Sequence, residues 1–272
     1  MLQPQDYSSN EMMAIMAARE IKDGDIVFAG TGISMLAATA AKNINAPNSV
    51  IFFETGAIDS LVEELPLAVA DPRVMYWSAS NAGLLEAFAT MQNRITGDKV
   101  IAILGAAQID RYGNLNTTAI GDYHRPKTRF SGSGGGCDVA SFVPRCIAFM
   151  QHEKRKFVNK LDYLTSPGQL SGGESRKTAG LRPGGVNVVI TDKAVMRMDP
   201  HTSEMYLDRY YPGITPEEIL SNMEFPVDTV RAREADPPTE KELKTLREKC
   251  DPQRLILGLK AKGSLTLSRQ HK

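Results

Sequence analysis

A chain of 272 residues can form one large domain or two small ones, with a substantial buried core. Its 32 basic and 32 acidic side chains cancel, so no global field draws it to nucleic acid or to an anionic membrane surface. The 42% hydrophobic and 24% charged fractions suit a soluble globular protein, and no apolar run approaches the roughly 18 residues that span a bilayer.

Ser8-Ser9-Asn10-Glu11 forms a capping box before Met12, Met13, Ile15, Met16 and Ile21, which recur at helical spacing; Asp23-Gly24 ends that helix. The segment 25–29 predicts a strand, Gly30-Thr31-Gly32 a tight turn, and 36–42 a helix of small residues. The apolar run 49–54 predicts a buried parallel strand that ends on the carboxylate of Glu54, just before a turn at Thr55-Gly56. A strand over 74–78, a helix over 83–92 and a strand over 99–104 follow.

This β-α-β-β-α-β order argues an α/β fold: an open, largely parallel sheet with helices on both faces. Residues 105–137 form an irregular stretch, longer than compact domains keep without a functional reason. Strands resume at 145–150 and 186–191, and 195–198 with 205–207 predict a hairpin. Thr215-Pro216 opens a short helix, and a linker at 235–238 precedes a charged helix over 240–249. A single domain is expected over 1–257, with a basic, frayed tail over 258–272.

Cys137, Cys146 and Cys250 are odd in number and lack CxxC spacing, which fits a reduced, cytoplasmic chain rather than a disulfide framework or a zinc site. The polar start (Gln3, Gln5, Asp6, Ser8) has neither the basic nor the apolar region of a signal peptide. His124 and His152 have no partners at ligand spacing, so no metal site is expected.

Ligands bind outside the carboxyl ends of parallel strands. Glu54 is therefore either a nucleophile or base facing a cleft, or the anchor of a cofactor. Gly30-Thr31-Gly32 with Glu54 traces the outline of a dinucleotide site, but the third glycine would fall at Met35 and is missing. The run Ser131-Gly132-Ser133-Gly134-Gly135-Gly136 suits bare amides brought close to a ligand oxygen. It is neither a P-loop nor a Gly-x-Ser-x-Gly elbow. Asn114 and Asn116 would share one side of an extended segment, though a plain turn explains them equally well. The basic runs 121–129 and 152–156 suit phosphate, with a solvated face as the competing reading.

Over nearly the whole chain these segments resemble the β subunit of family I CoA-transferases, closest to the branch that uses glutaconate. The resemblance rests on 105–110, Tyr112-Gly113-Asn114-Leu115-Asn116, Gly121-Asp122-Tyr123-His124, Pro126-Lys127-Thr128-Arg129, Gly132-Ser133-Gly134-Gly135 and Met150-Gln151-His152-Glu153-Lys154-Arg155. It implies a CoA-transferase fold and a catalytic glutamate in a Glu-x-Gly turn, which Glu54-Thr55-Gly56 matches. It also implies an oxyanion-hole amide at Gly135, between Gly134 and Gly136, and an acyl site lined by Gly30 and Gly32. Asn81 is expected as a further donor near Glu54, whereas Glu63 and Glu64 are expected to be surface or structural residues.

The implied reaction is ping-pong through a glutamyl-CoA thioester, between an acyl-CoA and a free carboxylic acid such as the dicarboxylic acid glutaconate. No cofactor would be bound permanently; coenzyme A enters as the thioester substrate. An α subunit of similar fold would complete the site in a hetero-oligomer, and no nucleic acid or membrane is expected as a partner. Thr55, where many relatives carry Asn or Ser, would border the acyl pocket, and Cys137 departs from the small residue expected after the glycines. The alternatives are an acyl-CoA hydrolase or decarboxylase on the same fold, or a non-catalytic subunit.

Overall fold

The first helix, α1 (Ser9–Glu20), starts at the capping box: the Glu11 amide donates to Ser8 Oγ at 3.2 Å and the Ser8 amide to the Glu11 carboxylate at 2.8 Å. The computed structural model describes residues 6–62, 64–66 and 68–258. After α1 come β1 (Ile26–Ala29), α2 (Ile33–Ile44), β2 (Val50–Phe52), β3 (Ala57–Ile58) and β4 (Ser80–Asn81). Next are α3 (Leu84–Gln92), α4 (Arg94–Gly97) and β5 (Val100–Gly105). The long irregular stretch holds two small hairpins, β6 (Gln108–Ile109) with β7 (Leu115–Asn116), and β8 (Ala119–Ile120) with β9 (Thr128–Arg129). The rest comprises α5 (Gly136–Phe142), β10 (Arg145–Phe149), α6 (Ser175–Thr178), β11 (Val186–Ile190), β12 (Ala194–Met198), β13 (Met205–Tyr210), α7 (Pro216–Ser221), β14 (Arg233–Glu234) and α8 (Glu240–Thr245).

Ten strands form one sheet in the order β14-β13-β12-β11-β10-β5-β1-β2-β3-β4. The central strands β11, β10, β5, β1 and β2 run parallel, while antiparallel pairs flank them on both sides. Alternation within the central strands assigns their faces. Val27, Ile101, Ile103 and Ile147 pack with α1, α2 and α8 on one face. Phe28, Ala102, Cys146 and Ala148 pack with α3, α5 and α7 on the other. Burial on both faces explains why these strands are apolar nearly throughout, Arg145 and Asn187 excepted. α1 and α2 pack on each other, and both bury alanines (Ala14, Ala17 and Ala18; Ala37, Ala38 and Ala41), whose small side chains let helix backbones approach.

Chain direction places the site. From β1 the chain passes through α2 to β2 on one side, whereas β5 leads by way of α5 to β10 on the other. The two connections leave on opposite faces, so a crevice opens beyond the carboxyl ends of β1 and β5. This is the topological switch point at which open α/β sheets bind ligands.

Two elements depart from their sequence expectation. Residues 74–78 are not a strand: Pro72–Met75 form a 3₁₀ turn, because Asp71 accepts the Arg73 amide at its head and Pro72 pre-sets the first helical φ. The charged helix expected over 240–249 keeps α-geometry only to Thr245 and then widens into a π-turn over Leu246–Cys250. Of the tail, 259–272 lie outside the described residues. Among the described residues no helix is long and apolar enough to cross a membrane.

Two ion pairs join the first and last helices. Arg19 meets Glu242 at 2.8 Å, and Arg247 reaches the carboxylate of the buried Glu11 at 2.6 and 3.0 Å. Burial alone pushes the Glu11 carboxyl up, but bonds from Arg247 and the Ser8 amide outweigh it and hold the group below its ordinary range. A lowered folded-state pKa adds stability above the unfolded pKa, and that stability is lost as pH falls through the lowered value. Arg247→Ala should cost about 3 kcal/mol at neutral pH by stranding a buried carboxylate. Denaturant titrations across pH should show the deficit shrinking in acid; a deficit independent of pH would assign it to packing instead.

Candidate active site

Glu54 stands one residue past the fully buried Phe53, at the outlet of β2, and is itself partly exposed. Its turn is fixed by the backbone: the Gly56 amide donates to the Phe53 carbonyl at 3.0 Å, and the Ala82 amide donates to the Gly56 carbonyl at 2.8 Å. Gly56 has φ +98°, and a Cβ there would lie 2.0 Å from the Ala82 carbonyl oxygen. Only glycine meets both demands, which is the physical reason for the Glu-x-Gly pattern.

The glycine run arrives from β9 and enters α5. A Cβ on Gly134 would lie 3.8 Å from Glu54 Oε2, so this backbone passes directly over the carboxylate. Gly135 presses on the Phe88 ring so closely that a Cβ would come within 2.3 Å of it. The Gly136 amide is spent on the Ser133 carbonyl at 2.9 Å, while those of Gly134 and Gly135 meet no acceptor among the described residues. Two free donors beside one carboxylate can receive a charged oxygen.

Three cavities meet here. One of about 400 Å³ holds Glu54 with Gly30, Thr31, Ser34, Thr117 and Ser166 in its wall, together with Gly134, Gly135 and Gly136. A second, about 510 Å³, opens on the other side of Glu54 and is walled by Leu84, Leu85 and Phe88 of α3. The third, about 680 Å³, shares Gly105, Thr117 and Gly132 with the first and carries Lys127, Arg155 and Lys156. The two basic runs thus contribute to one pocket, although they are separated in sequence.

Behind the glycine run lies a buried cation. The Arg176 guanidinium donates to the Ala140 and Ser141 carbonyls at the end of α5, to Pro167 and Gly168, and to Arg182. Burial lowers its pKa from the ordinary arginine value, and carbonyl dipoles rather than a carboxylate balance its charge. It ties α5 to the loop that brings Ser166 into the cavity wall.

Several expected residues are placed elsewhere. Asn81 lies on β4, the outermost and exposed strand, paired by its backbone to Ala57, and it lines neither cavity at Glu54. Gly32 is the N-cap of α2 and is not in the cavity wall. Thr55 is exposed and borders neither cavity. Glu64 pairs with Arg73 at 3.2 Å on the surface, and Glu63 lies outside the described residues.

Asn114 and Asn116 are buried and structural. Asn114 braces Asp110, Gly168 and Leu170, and Asn116 braces Gln108, Thr118 and Ala119. His152 is buried against Phe157, with Nε2 3.0 Å from the Ile219 carbonyl, and burial lowers its pKa so that it stays neutral. Cys137 is exposed, and among the described residues no group of three His, Cys, Asp or Glu is placed to hold a metal ion. Sequence reading missed Ser34, Ser166, Phe88 and Arg176. Ser34 could have been found two residues past the Gly-x-Gly turn; the other three carry no local signal.

A doubly covered parallel sheet with a carboxylate at the switch point, beside amides without acceptors, is the layout of an α/β enzyme with its cleft at the carboxyl ends of the strands. The model of the coenzyme A transferase family matches residues 10–222, and the chain belongs to that family. It is 41% identical to the B subunit of glutaconate CoA-transferase from Acidaminococcus fermentans over 91% of this chain and 94% of that one. The crystal structure of that transferase superposes with a TM-score of 0.90 at 39% identity, covering 94% of this chain and 99% of the other. The B subunit of the 3-oxoadipate CoA-transferase of Pseudomonas knackmussii is 35% identical over 89% of this chain and 92% of its own. The decarboxylase AibA/AibB shares the fold, with a TM-score of 0.78 at 21% identity, covering 92% of this chain and 98% of the other. The chain is thus a CoA-transferase subunit of the β type, close to glutaconate CoA-transferase.

The Gly135–Phe88 contact can be tested by double substitution. Gly135→Ala should destabilise by about 1–3 kcal/mol through overpacking. In the Phe88→Ala background the same change should cost at least about 1 kcal/mol less in thermal unfolding, and strict additivity would refute the contact.

Proposed function

We propose that Glu54 is the nucleophile of a ping-pong CoA transfer between an acyl-CoA and a free carboxylic acid. The observation that supports this most directly is the carboxylate at the switch point beneath the free amides of Gly134 and Gly135. A Glu54 oxygen attacks the thioester carbon and expels CoA as thiolate, leaving a mixed anhydride. The thiolate attacks the glutamyl carbon of that anhydride, the first acid departs as carboxylate, and CoA is held on Glu54 as a thioester. A second carboxylate attacks that thioester, and the same two steps run in reverse to give the new acyl-CoA and free Glu54. Each tetrahedral intermediate places an oxyanion where the two glycine amides can donate. One thioester replaces another, so the exchange needs no ATP and no bound cofactor.

The relatives at 41% and 35% identity carry the names of glutaconate and 3-oxoadipate, both dicarboxylic acids. On that basis the substrate acid here is a dicarboxylic acid such as glutaconate. The pocket with Lys127, Arg155 and Lys156 shares wall residues with the Glu54 cavity, so CoA can lay its phosphates on the basic side chains while its thiol reaches Glu54. Leu84 and Leu85 are 59% and 77% exposed in the wall of the second depression. An α subunit covering them would hide apolar surface and exclude water from Glu54 in one step. The relatives are named as B subunits, which supports such a hetero-oligomer. The free cysteines support a reduced, cytoplasmic setting.

The test uses the chain co-purified with its α partner. Incubation with an acyl-CoA followed by borohydride should reduce Glu54 to the alcohol, located by peptide mass spectrometry, and Glu54→Gln should abolish transfer. Accumulation of free acid and CoA with Glu54 unmodified would point to hydrolysis and sink the transfer reading. Replacing Lys127 and Arg155 together by Ala should raise KM for acyl-CoA roughly tenfold or more, with a weaker salt dependence and little change in kcat. Unchanged KM in steady-state assays would move the phosphates elsewhere.

A further inference from the structure

Among the described residues, no lysine or arginine lines the 400 Å³ cavity; Glu54 is its only charged side chain. A dicarboxylic substrate nevertheless brings a second negative charge, on the carboxylate that does not react. Apart from the Gly134 and Gly135 amides beside Glu54, the cavity wall holds one further source of compensating charge, the start of α2. This helix has 12 residues, an N-cap glycine with no side-chain oxygen, and no acidic residue in its first turn. The backbone amides from Thr31 to Met35 meet no acceptor among the described residues. Aligned peptides place roughly half a positive charge at such an end.

The neighbouring hydroxyl gives an independent observation. Ser34 is only 7% exposed and lines the cavity, yet its hydroxyl makes no hydrogen bond among the described residues. Its oxygen is not sealed from solvent, so the hydroxyl is free to pair with a molecule in the cavity. Thr31, Ile33 and Ser34 all line the cavity, so free amides and this hydroxyl stand together in its wall, the arrangement a carboxylate would complete.

We propose that the start of α2, with Thr31 and Ser34, receives the far, non-reacting carboxylate of a dicarboxylic acid while its other carboxyl meets Glu54. The proposal rests on the CoA-transfer reading and deepens it. Amide donors fixed to a rigid helix select for the presence of a charge, and the space between the helix end and Glu54 sets the length of acid that fits.

Titration calorimetry on the complex with the α partner can compare glutarate with glutaramate, its monoamide. The two have the same length and differ by one charge. Glutarate should bind about tenfold or more tightly in the unaltered complex. Ser34→Ala should narrow that preference by roughly fivefold to tenfold, and Ser34→Asp, which caps the amides with its own carboxylate, should abolish it. Thr31→Val provides a second variant should a Ser34 change fail to fold, and it too should narrow the preference.

Equal affinity for the two acids in the unaltered complex, or a preference that survives in every folded variant, would overturn the proposal. Failure of the transfer reading shows separately, as an unaltered complex that never yields the borohydride-trapped Glu54 adduct whatever the affinities are.

Discussion

Backbone amides left without acceptors around Glu54 are the constraint on which the rest of this structure depends. Those of Thr31, Ile33 and Ser34 belong to one part of the cavity wall, and those of Gly134 and Gly135 to another. Each hydrogen bond left unmade forgoes roughly 1 kcal/mol, and unsupported loops would fold back to recover it. The surrounding structure prevents that. Gly56 is wedged against the Ala82 carbonyl, Gly135 against the Phe88 ring, and the end of α5 is held by the Arg176 guanidinium. The parallel strands beneath are buried on both faces, which offsets the unmade bonds with apolar contact.

Division of labour among the three cavities follows from side-chain chemistry. The basic pocket offers Lys127, Arg155 and Lys156, the Glu54 cavity offers amides and hydroxyls, and the depression at α3 offers leucine surface. Positive charge, hydrogen-bond donors and apolar surface are thereby carried by different stretches of chain. Arg155 and Lys156 also pair with Glu153, which keeps the basic pocket from being a bare cluster of like charges.

Much of this was legible in the sequence because local rules decided it. Apolar runs bounded by turn-forming residues became the central strands, and Ser8-Ser9-Asn10-Glu11 became a helix cap. Glu54 could be singled out because a lone carboxylate ended an apolar strand just before a glycine. What stayed hidden depended on contacts distant in sequence. Arg176 looks like a surface residue in Ser175-Arg176-Lys177 until its carbonyl partners, on α5 and on the 167–168 loop, are seen around it. Asn114 and Asn116 were undecided by their spacing, and tertiary packing turned both inward to brace neighbouring backbone. The strand expected at 74–78 failed because Asp71-Pro72 starts a turn more strongly than Val74, Tyr76 and Trp77 favour a strand.

The pairing of Glu11 with Arg247 also bears on synthesis. The two residues are 236 positions apart, and Glu11 is buried at 3% exposure. During translation α1 emerges with a carboxylate that has no cation to meet until the last helix leaves the ribosome. At about 5–20 residues per second, that delay is roughly ten to fifty seconds. The first helix of the chain is thus among the last to be locked, and the nascent sheet must wait for the far end of the chain before one of its faces is sealed.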